Sequence, residues 1–497
     1  MRRALGLSRL SDLLGLAVAG AAVLVGVLLI AAGIEVTRAI ISVSSDPLRD
    51  AELRVLPAQT PATGVAGMLA RGQRVNVLLL GYGGAGHDGA FLTDSLMVAS
   101  LDPPSRVTLL SVPRDLWATF PKSKYAASYS AKVNEAFAIP AANGDRDEGI
   151  RVADATLESA LGIQIHRTVA IDFRAFRTVV DAIGGIDIVV DRSFTALYPK
   201  NDDPDVDPSW IEISFRAGTQ HMDGEAALRY ARARYSDSVE GSDFARSQRQ
   251  QKVILAAKDR AIATNAVSQL LGLIAALRDN VRTDLSLSDL QALAAFARGY
   301  DDTRTVKAAL TTENVLQSGY SEDTGYALWP KVEGFGDVHT YVRRVLDYPK
   351  SLSEDPQVIL AVSRRRAFAG EQAARRLEDL GFRVQLEFAE GDDPGRTTIS
   401  DGTGGSGDWS ALFLAAYFGD ALITDPGGTG SILVHLGRDW QPPTEFDAPN
   451  ETPKPEPDAS PTPVPSGPPR PSASPGRSRV PATSPTKTPR PTRTPKR

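Results

Sequence analysis

The 497-residue sequence contains no cysteine. That absence excludes disulfides, iron–sulfur clusters, thiol catalysis and cysteine-type zinc sites. Histidine is scarce as well: His87, His166, His221, His339 and His435 are scattered, and no two stand at the i,i+4 spacing of a zinc-binding helix. Nor is positive charge in excess. Lys and Arg number 55 against 60 Asp and Glu, a formal net charge of -5. A nucleic-acid binder usually carries a strongly basic domain, so no nucleic-acid partner is expected. What remains is a chain long enough for two or three domains, each with its own core.

Only one long apolar run is present. Residues 13–34, LLGLAVAGAAVLVGVLLIAAGI, carry no charge and are long enough to cross a hydrocarbon core of about 30 Å as a helix. Arg2, Arg3 and Arg9 precede the run. The positive-inside bias therefore keeps residues 1–12 in the cytoplasm and sends the rest outside, as a single-pass protein of the cell membrane. A cleaved signal peptide is the competing reading, but its apolar region is normally only about 7–15 residues. On either reading the working part is extracytoplasmic.

Residues 35–70 read as a stalk. The runs RVNVLLLG (74–81), SLMVASL (95–101) and RVTLLSV (106–112) read as buried strands, with DPPS as a turn between the last two. DATLESALG (154–162) suits a short helix and DFRAFRTVVDAIGG (172–185) a stronger one, with Phe173, Phe176, Val179, Val180 and Ile183 on one stripe. IDIVV (186–190) reads as a further strand, GEAALRYARARY (224–235) as a helix leading into a loop, and DFARSQRQQKVILAAKDRAI as a helix with Asp243 as N-cap. Strands alternating with helices predict an α/β protein, with a layered α-β-α domain over 71–350. PQVILAVS, FAGEQAARRLEDLGF, RVQLEFA, a helix around Trp409–Phe418 and GSILVHLG predict a small α/β module over 356–440. From 441 to 497 Pro, Ser and Thr dominate, and the segment is expected to stay disordered.

Residues 230–251, YARARYSDSVEGSDFARSQRQQ, gather Arg232, Arg234, Arg246 and Arg249 in an overall acidic chain. Solubility would be served by lysine. Arginine adds a planar fork of donors that grips phosphate or carboxylate through paired hydrogen bonds. The bland reading is a salt-bridged, solvated helix end near Glu240 and Asp243. LLLGYGGAGHDG matches the dinucleotide fingerprint in form, but the residues that follow, AFLTDSLMVASL, are strand-like where that motif needs a helix. No nucleotide cofactor is therefore expected. SVPRDLW (111–117) sets Arg114 and Asp115 just past a strand end, where ligands of α/β sheets are often held.

LTDS, SVPRD, KVNEAF, VVDAIGGIDIVV, GTQHMDGEAALRYARARY and SDFARSQRQQ occur in this order and spacing. The set closely resembles the LytR-CpsA-Psr family of membrane-anchored cell-wall enzymes over roughly residues 72–300. Residues 356–438 resemble the LytR C-terminal module, without the Asn-Gly-Thr turn usual after its first strand. The resemblance implies a transferase moving a glycopolymer from a polyprenyl-pyrophosphate carrier to peptidoglycan and leaving a phosphodiester link. It implies pyrophosphate contacts from Arg114, Arg232, Arg234 and Arg246, with Arg249 and Gln250 in support. Lys132 and Asn134 of KVNEAF are further substrate-binding positions. Asp115 and Asp243 are candidates to orient arginines or accept the acceptor's proton. Asp94 in LTDS implies a Mg²⁺ site (Mn²⁺ as a possible substitute). The family commonly has an Asp near position 83 and an Arg two residues before the Asp94 position. Gly83 and Leu92 stand there in this chain, and Asp88 is the candidate second metal ligand. A polyprenyl tail is expected in an apolar groove partly lined by the Phe173–Ile183 helix. Two other readings use the same site: a non-catalytic wall- or lipid-binding protein, and a hydrolase that cuts the pyrophosphate with water.

Overall fold

The computed structural model describes residues 64–87, 89–104, 106–201, 206–207, 209–234, 236, 238–263, 280–298, 304–424 and 427–449, all within one compact unit. The expected membrane segment at 13–34, Asp88 and the tail from residue 450 onward lie outside these residues. Among the described residues no helix is long and apolar enough to cross a membrane.

The apolar runs form a six-stranded mixed sheet. Its strands are β1 (Val75–Tyr82), β2 (Thr93–Asp102), β3 (Arg106–Val112), β4 (Arg167–Asp172), β5 (Val281–Thr283) and β6 (Thr305–Ala309), in the order β5-β4-β1-β2-β3-β6. β1 pairs antiparallel with β2 and parallel with β4. It is buried at almost every position, as a strand covered on both faces must be. Alternate residues face opposite ways. Leu78 and Leu80 share a cluster with Val152 and Leu157 of helix α2 (Arg146–Leu161) and Val338 of α7 (Gly336–Asp347). Val77 and Leu79 join Val65 of α1 (Gly64–Ala70) and Leu293 of α6 (Leu287–Arg298). The sheet is thus the middle of three layers.

A separate apolar cluster lies beside the second face. It unites α3 (Phe173–Ala182), α4 (Gly224–Arg232), α5 (Asp243–Ala263) and the strands at Ile186–Val190, Phe194–Pro199, Trp210–Phe215 and Gly218–Met222. Ile186–Val190 pairs with Gly218–Met222 and does not extend the central sheet, as simple alternation of strand and helix would suggest.

Three expectations are corrected. The short helix at 154–162 is the end of the longer α2, whose polar first turns hid its start. Asp145 caps it by accepting from the Glu148 amide at 3.0 Å, and Gly162 ends it at φ +67°. Gly149 within α2 permits close packing, since a Cβ there would lie 2.9 Å from the Phe137 carbonyl oxygen. The last seven residues of the stalk fold as α1, with Val65 buried and its amide bound to Asp289 at 2.9 Å. Residues 441–449, expected to be disordered, return to the first domain. Phe446 donates its amide to Lys331 O at 3.1 Å, and Tyr320 donates to Pro449 O at 2.7 Å.

The C-terminal module is a second sheet of β7 (Gln357–Ser363), β8 (Arg383–Ala389), β9 (Thr398–Asp401), β10 (Leu422–Thr424) and β11 (Ser431–His435), ordered β8-β7-β11-β9-β10. Helices α8 (Ala367–Asp379) and α9 (Asp408–Tyr417) pack on it. Its Leu360, Leu377 and Phe413 belong to the same cluster as Val342 and Leu346 of α7, so one apolar core runs through both domains.

One buried acid makes this core sensitive to pH. Burial against the sheet, with Asp284 nearby, pushes the Asp154 carboxyl up from 3.8 to about 7, although the Thr168 hydroxyl donates to it. The folded state holds a proton that the unfolded chain gives up near pH 4, so this group's contribution to stability falls as pH rises from about 4 to about 7. Asp154→Asn is expected to raise stability at pH 8 by about 2–4 kcal/mol relative to its effect at pH 4. Thermal melts at both pH values test this, and an equal effect at the two would exclude Asp154 as the proton site.

Candidate functional site

The site begins with a flaw in the sheet register. Gly81 of β1 faces Ser95 and Tyr82 faces Thr93, leaving Asp94 as the extra residue of a bulge. A bulge re-aims a side chain that regular pairing would constrain. Arg114 donates to the Asp94 carboxylate at 2.5 Å. Burial alone would push this carboxyl up, but Arg114, with Arg246 and Arg232 beyond it, holds it below the usual carboxylate range. Asp94 is therefore an anion amid three guanidinium groups.

Those groups arrive from three elements. Arg114 sits in the turn after β3, where its carbonyl accepts the Asn134 amide at 3.2 Å. Asn134 is buried, and its own carbonyl accepts from Thr93 at 3.2 Å, so its backbone braces Arg114 against the start of β2. Asp115 lies 3.6 Å from Arg114 and 3.9 Å from Lys132, in a position to orient both cations. Arg246 and Gln250 lie one turn apart on α5. The hydroxyl of Ser242 accepts the Ala245 amide at 3.1 Å and is the helix cap. Asp243, expected as that cap, is instead the first helical residue. Gln250 accepts from Ser95 at 3.1 Å.

Arg232 ends α4. Its guanidinium lies over the Phe173 ring at 4.1 Å and donates to the Tyr198 hydroxyl at 2.6 Å and to His87 Nε2 at 2.8 Å. Guanidinium cannot accept, so His87 accepts at Nε2 and carries its proton on Nδ1. His87 has no histidine partner at zinc spacing, so its residue type alone does not mark it in the sequence. The glycine-rich run leading to it was the available signal: a Cβ on Gly83 would lie 2.5 Å from the His87 ring.

The arginine cluster separates into two roles. Arg249, expected to support phosphate binding, is 2% exposed and turned away from the site. Its Nε donates to Tyr230 O at 3.0 Å, one Nη to Glu240 O at 2.8 Å and to the Glu240 carboxylate at 2.9 Å, and the other to Ala233 O. It clamps the backbone on both sides of Arg232 and is a structural residue. Arg234 follows in the same loop and lines neither of the two cavities described next.

The first cavity, about 1130 Å³ with its open mouth included, lies between the sheet and α3, α4 and α5. Leu79, Ile171, Phe176, Val180, Leu228 and Val253 make its wall almost wholly apolar, and Asp94, Arg232 and Gln250 stand at its polar end. The α3 stripe read from sequence is part of this wall. The second cavity, about 1160 Å³, is lined by Arg114, Asp115 and Arg246. Asp94, Ser95 and Gln250 line both, so the two cavities adjoin at these residues.

Among the described residues no three acidic or histidine side chains form a metal cage. Asp94 nevertheless suits a hard cation that brings its other oxygen ligands from a substrate's phosphates. Its carboxyl is held ionised, and only one of its oxygens takes the short Arg114 bond.

A sequence model of the LytR_cpsA_psr family matches residues 53–326. The chain is 28% identical over 262 residues to the polyisoprenyl-teichoic acid–peptidoglycan teichoic acid transferase TagV of Bacillus subtilis, a match covering 52% of this chain and 61% of that protein. It is 29% identical over 252 residues to the corresponding transferase TagU of Enterococcus faecalis, covering 50% and 72%. The crystal structure of B. subtilis TagV aligns over 56% of this chain and 98% of that one, with 24% identity and a TM-score of 0.41.

The clamp role of Arg249 is open to a direct test. Lysine cannot reproduce a fork that serves three carbonyls and a carboxylate, so Arg249→Lys is expected to lose about 2–4 kcal/mol of stability. Unchanged denaturant unfolding in that variant would show that the loop does not depend on the guanidinium.

Proposed function

Because the chain belongs to the LytR_cpsA_psr family, we propose that it is a membrane-anchored phosphotransferase moving an anionic glycopolymer from a polyprenyl-pyrophosphate carrier to peptidoglycan. The observation that carries this reading is that the apolar cavity adjoins the arginine-lined one at Asp94, Ser95 and Gln250. A polyprenyl diphosphate has that same division, an apolar chain joined to a compact polyanion. Each methylene buried in such a cavity contributes about 0.8 kcal/mol, so the tail supplies affinity while the arginines fix the position of the head. The relatives' names specify teichoic acid and peptidoglycan, which supports a wall polymer as donor and wall glycan as acceptor.

In the proposed reaction an acceptor hydroxyl attacks the phosphorus that carries the polymer. A new O–P bond forms, the bond from that phosphorus to the bridging oxygen breaks, the other phosphate departs as polyprenyl monophosphate, and the proton of the acceptor hydroxyl passes to that leaving phosphate or to solvent. Arg114, Arg232 and Arg246 neutralise charge on the two phosphates as it shifts towards the leaving group. Asp115 keeps Arg114 and Lys132 aligned. A Mg²⁺ held by Asp94 and phosphate oxygens would supply further charge neutralisation. The segment at 13–34 would keep the site at the membrane surface, where the lipid-linked donor resides.

The full-length chain in detergent micelles, given a polyprenyl-diphosphate saccharide, Mg²⁺ and peptidoglycan, is expected to release polyprenyl monophosphate only when the glycan is present. Release without any glycan would make it a hydrolase; saturable lipid binding with no release would make it a binder. Arg232→Lys is expected to lower the transfer rate by about 100-fold, because one fork at a transition-state charge contributes about 3 kcal/mol. Full activity in that variant would remove the bidentate contact from the mechanism.

A further inference from the structure

A third cavity continues from the arginine-lined one. It holds about 1010 Å³ and shares Ser247, Ala309, Thr311 and Glu313 with its neighbour. Its near wall is α5 and the edge strand β6; its far wall is the C-terminal module, through Asp379, Leu380 and Gly381 at the end of α8. An apolar, an arginine-lined and an interdomain cavity thus adjoin in series, each sharing lining residues with the next.

The chemistry changes along this path. In the interdomain cleft the one guanidinium in the lining is Arg344, and each of its three nitrogens donates to an acceptor of the protein. It donates to Ser351 Oγ at 3.0 Å, to Ser351 O at 2.7 Å and to Leu380 O, and stacks on Phe382 at 3.9 Å. No arginine fork is therefore presented to a second phosphate. The wall carries amides and hydroxyls, from Gln248, Gln251, Thr311 and Tyr341, and its charges balance, the cations Lys307 and Arg344 standing against the carboxylates Glu313 and Asp379. Gln251 is the most telling. It is 3% exposed, and its Nε2 donates to Ser111 Oγ at 2.9 Å, which fixes the amide. Its Oε1 is buried and finds no hydrogen-bond partner in the protein. A buried acceptor left unpaired costs about 1–3 kcal/mol, and a ligand hydroxyl or amide proton would satisfy it.

We propose that the cleft between the two domains is a carbohydrate subsite for uncharged, hydroxyl- and acetamido-bearing sugar residues, with the C-terminal module as one of its walls. It deepens the transferase reading and rests on it, since the sugar would be bonded to, or about to attack, the phosphate held by Arg114 and Arg246. Two sources share this chemistry: the first sugars of the donor polymer, and the acceptor glycan strand.

The experiment uses the full chain in detergent micelles and three probes. Geranylgeranyl diphosphate, which has no sugar, is the reference. The same lipid carrying N-acetylglucosamine on its diphosphate tests the donor source. An unphosphorylated, uncharged tetrasaccharide of N-acetylglucosamine tests the acceptor source. Dissociation constants are measured by calorimetry for the wild type, for Gln251→Leu, and for Gln248→Trp, which fills the cleft from a half-buried helix position. Both variants are expected to weaken one sugar probe at least tenfold relative to the reference. Loss of the sugar-lipid increment assigns the cleft to the donor, and loss of tetrasaccharide binding assigns it to the acceptor. Unchanged ratios in Gln248→Trp, or a wild type that binds neither sugar, overturn the proposal. A wild type that binds the tetrasaccharide but not the reference lipid overturns the transferase reading and leaves the subsite standing.

Discussion

Everything at the centre of this molecule depends on keeping several guanidinium groups together around one carboxylate. Like charges about 4 Å apart repel by about 4 kcal/mol at an effective dielectric constant of 20. The bulge at Asp94 answers that problem by turning one carboxylate towards Arg114, with Arg232 and Arg246 also in reach of its field. Asp115 does the same for Arg114 and Lys132. An anion bound here would take over neutralisation that the carboxylates already supply in part. The arginines need not reorganise, and preorganised charge is the form that contributes most to a transition state.

Rigidity around that charge comes from groups that never reach the site. Arg249 lies three residues from Arg246 on the same helix, yet its donors are spent on the carbonyls of Tyr230, Ala233 and Glu240. The loop carrying Arg232 is thereby tied to α5, which carries Arg246. The Ser95–Gln250 hydrogen bond ties α5 in turn to β2 beside Asp94. The three segments are locked by these two contacts. The side chains that face the cavities can then remain charged and in place.

The sequence was informative where one residue type has one use. β1, β2 and β3 are continuous apolar runs, and they lie where those runs predict. The stripe on α3 was legible because it repeats with the helical period, and it became the wall of the apolar cavity. Residue type alone could not divide the arginines. On a helix, Arg249 and Gln250 flank the direction of Arg246 on opposite sides, and only the path of the preceding loop decides which one it covers. Nor could the Asp94 bulge be read, since it is a property of the pairing between two strands. The return of residues 441–449 was hidden for a related reason. Their attachment is largely backbone hydrogen bonding to Lys331, Glu333 and Tyr320, to which composition is blind.

The glycine-rich loop shows how a departure from a family pattern can be internally consistent. An acid near position 83 would stand where the resemblance places one, but here the space beside Gly83 holds the His87 ring. That ring packs edge-on against Phe173 at 5.2 Å and accepts from Arg232. The two features require each other: any side chain at 83 would collide with the imidazole, and without the imidazole Arg232 would lose an acceptor. The exchange also alters the charge balance. An acid partner would cancel one positive charge at the mouth of the apolar cavity, whereas an imidazole accepting at Nε2 is neutral and cancels none. Arg232 is thereby oriented without being neutralised, and the site keeps more of its positive charge.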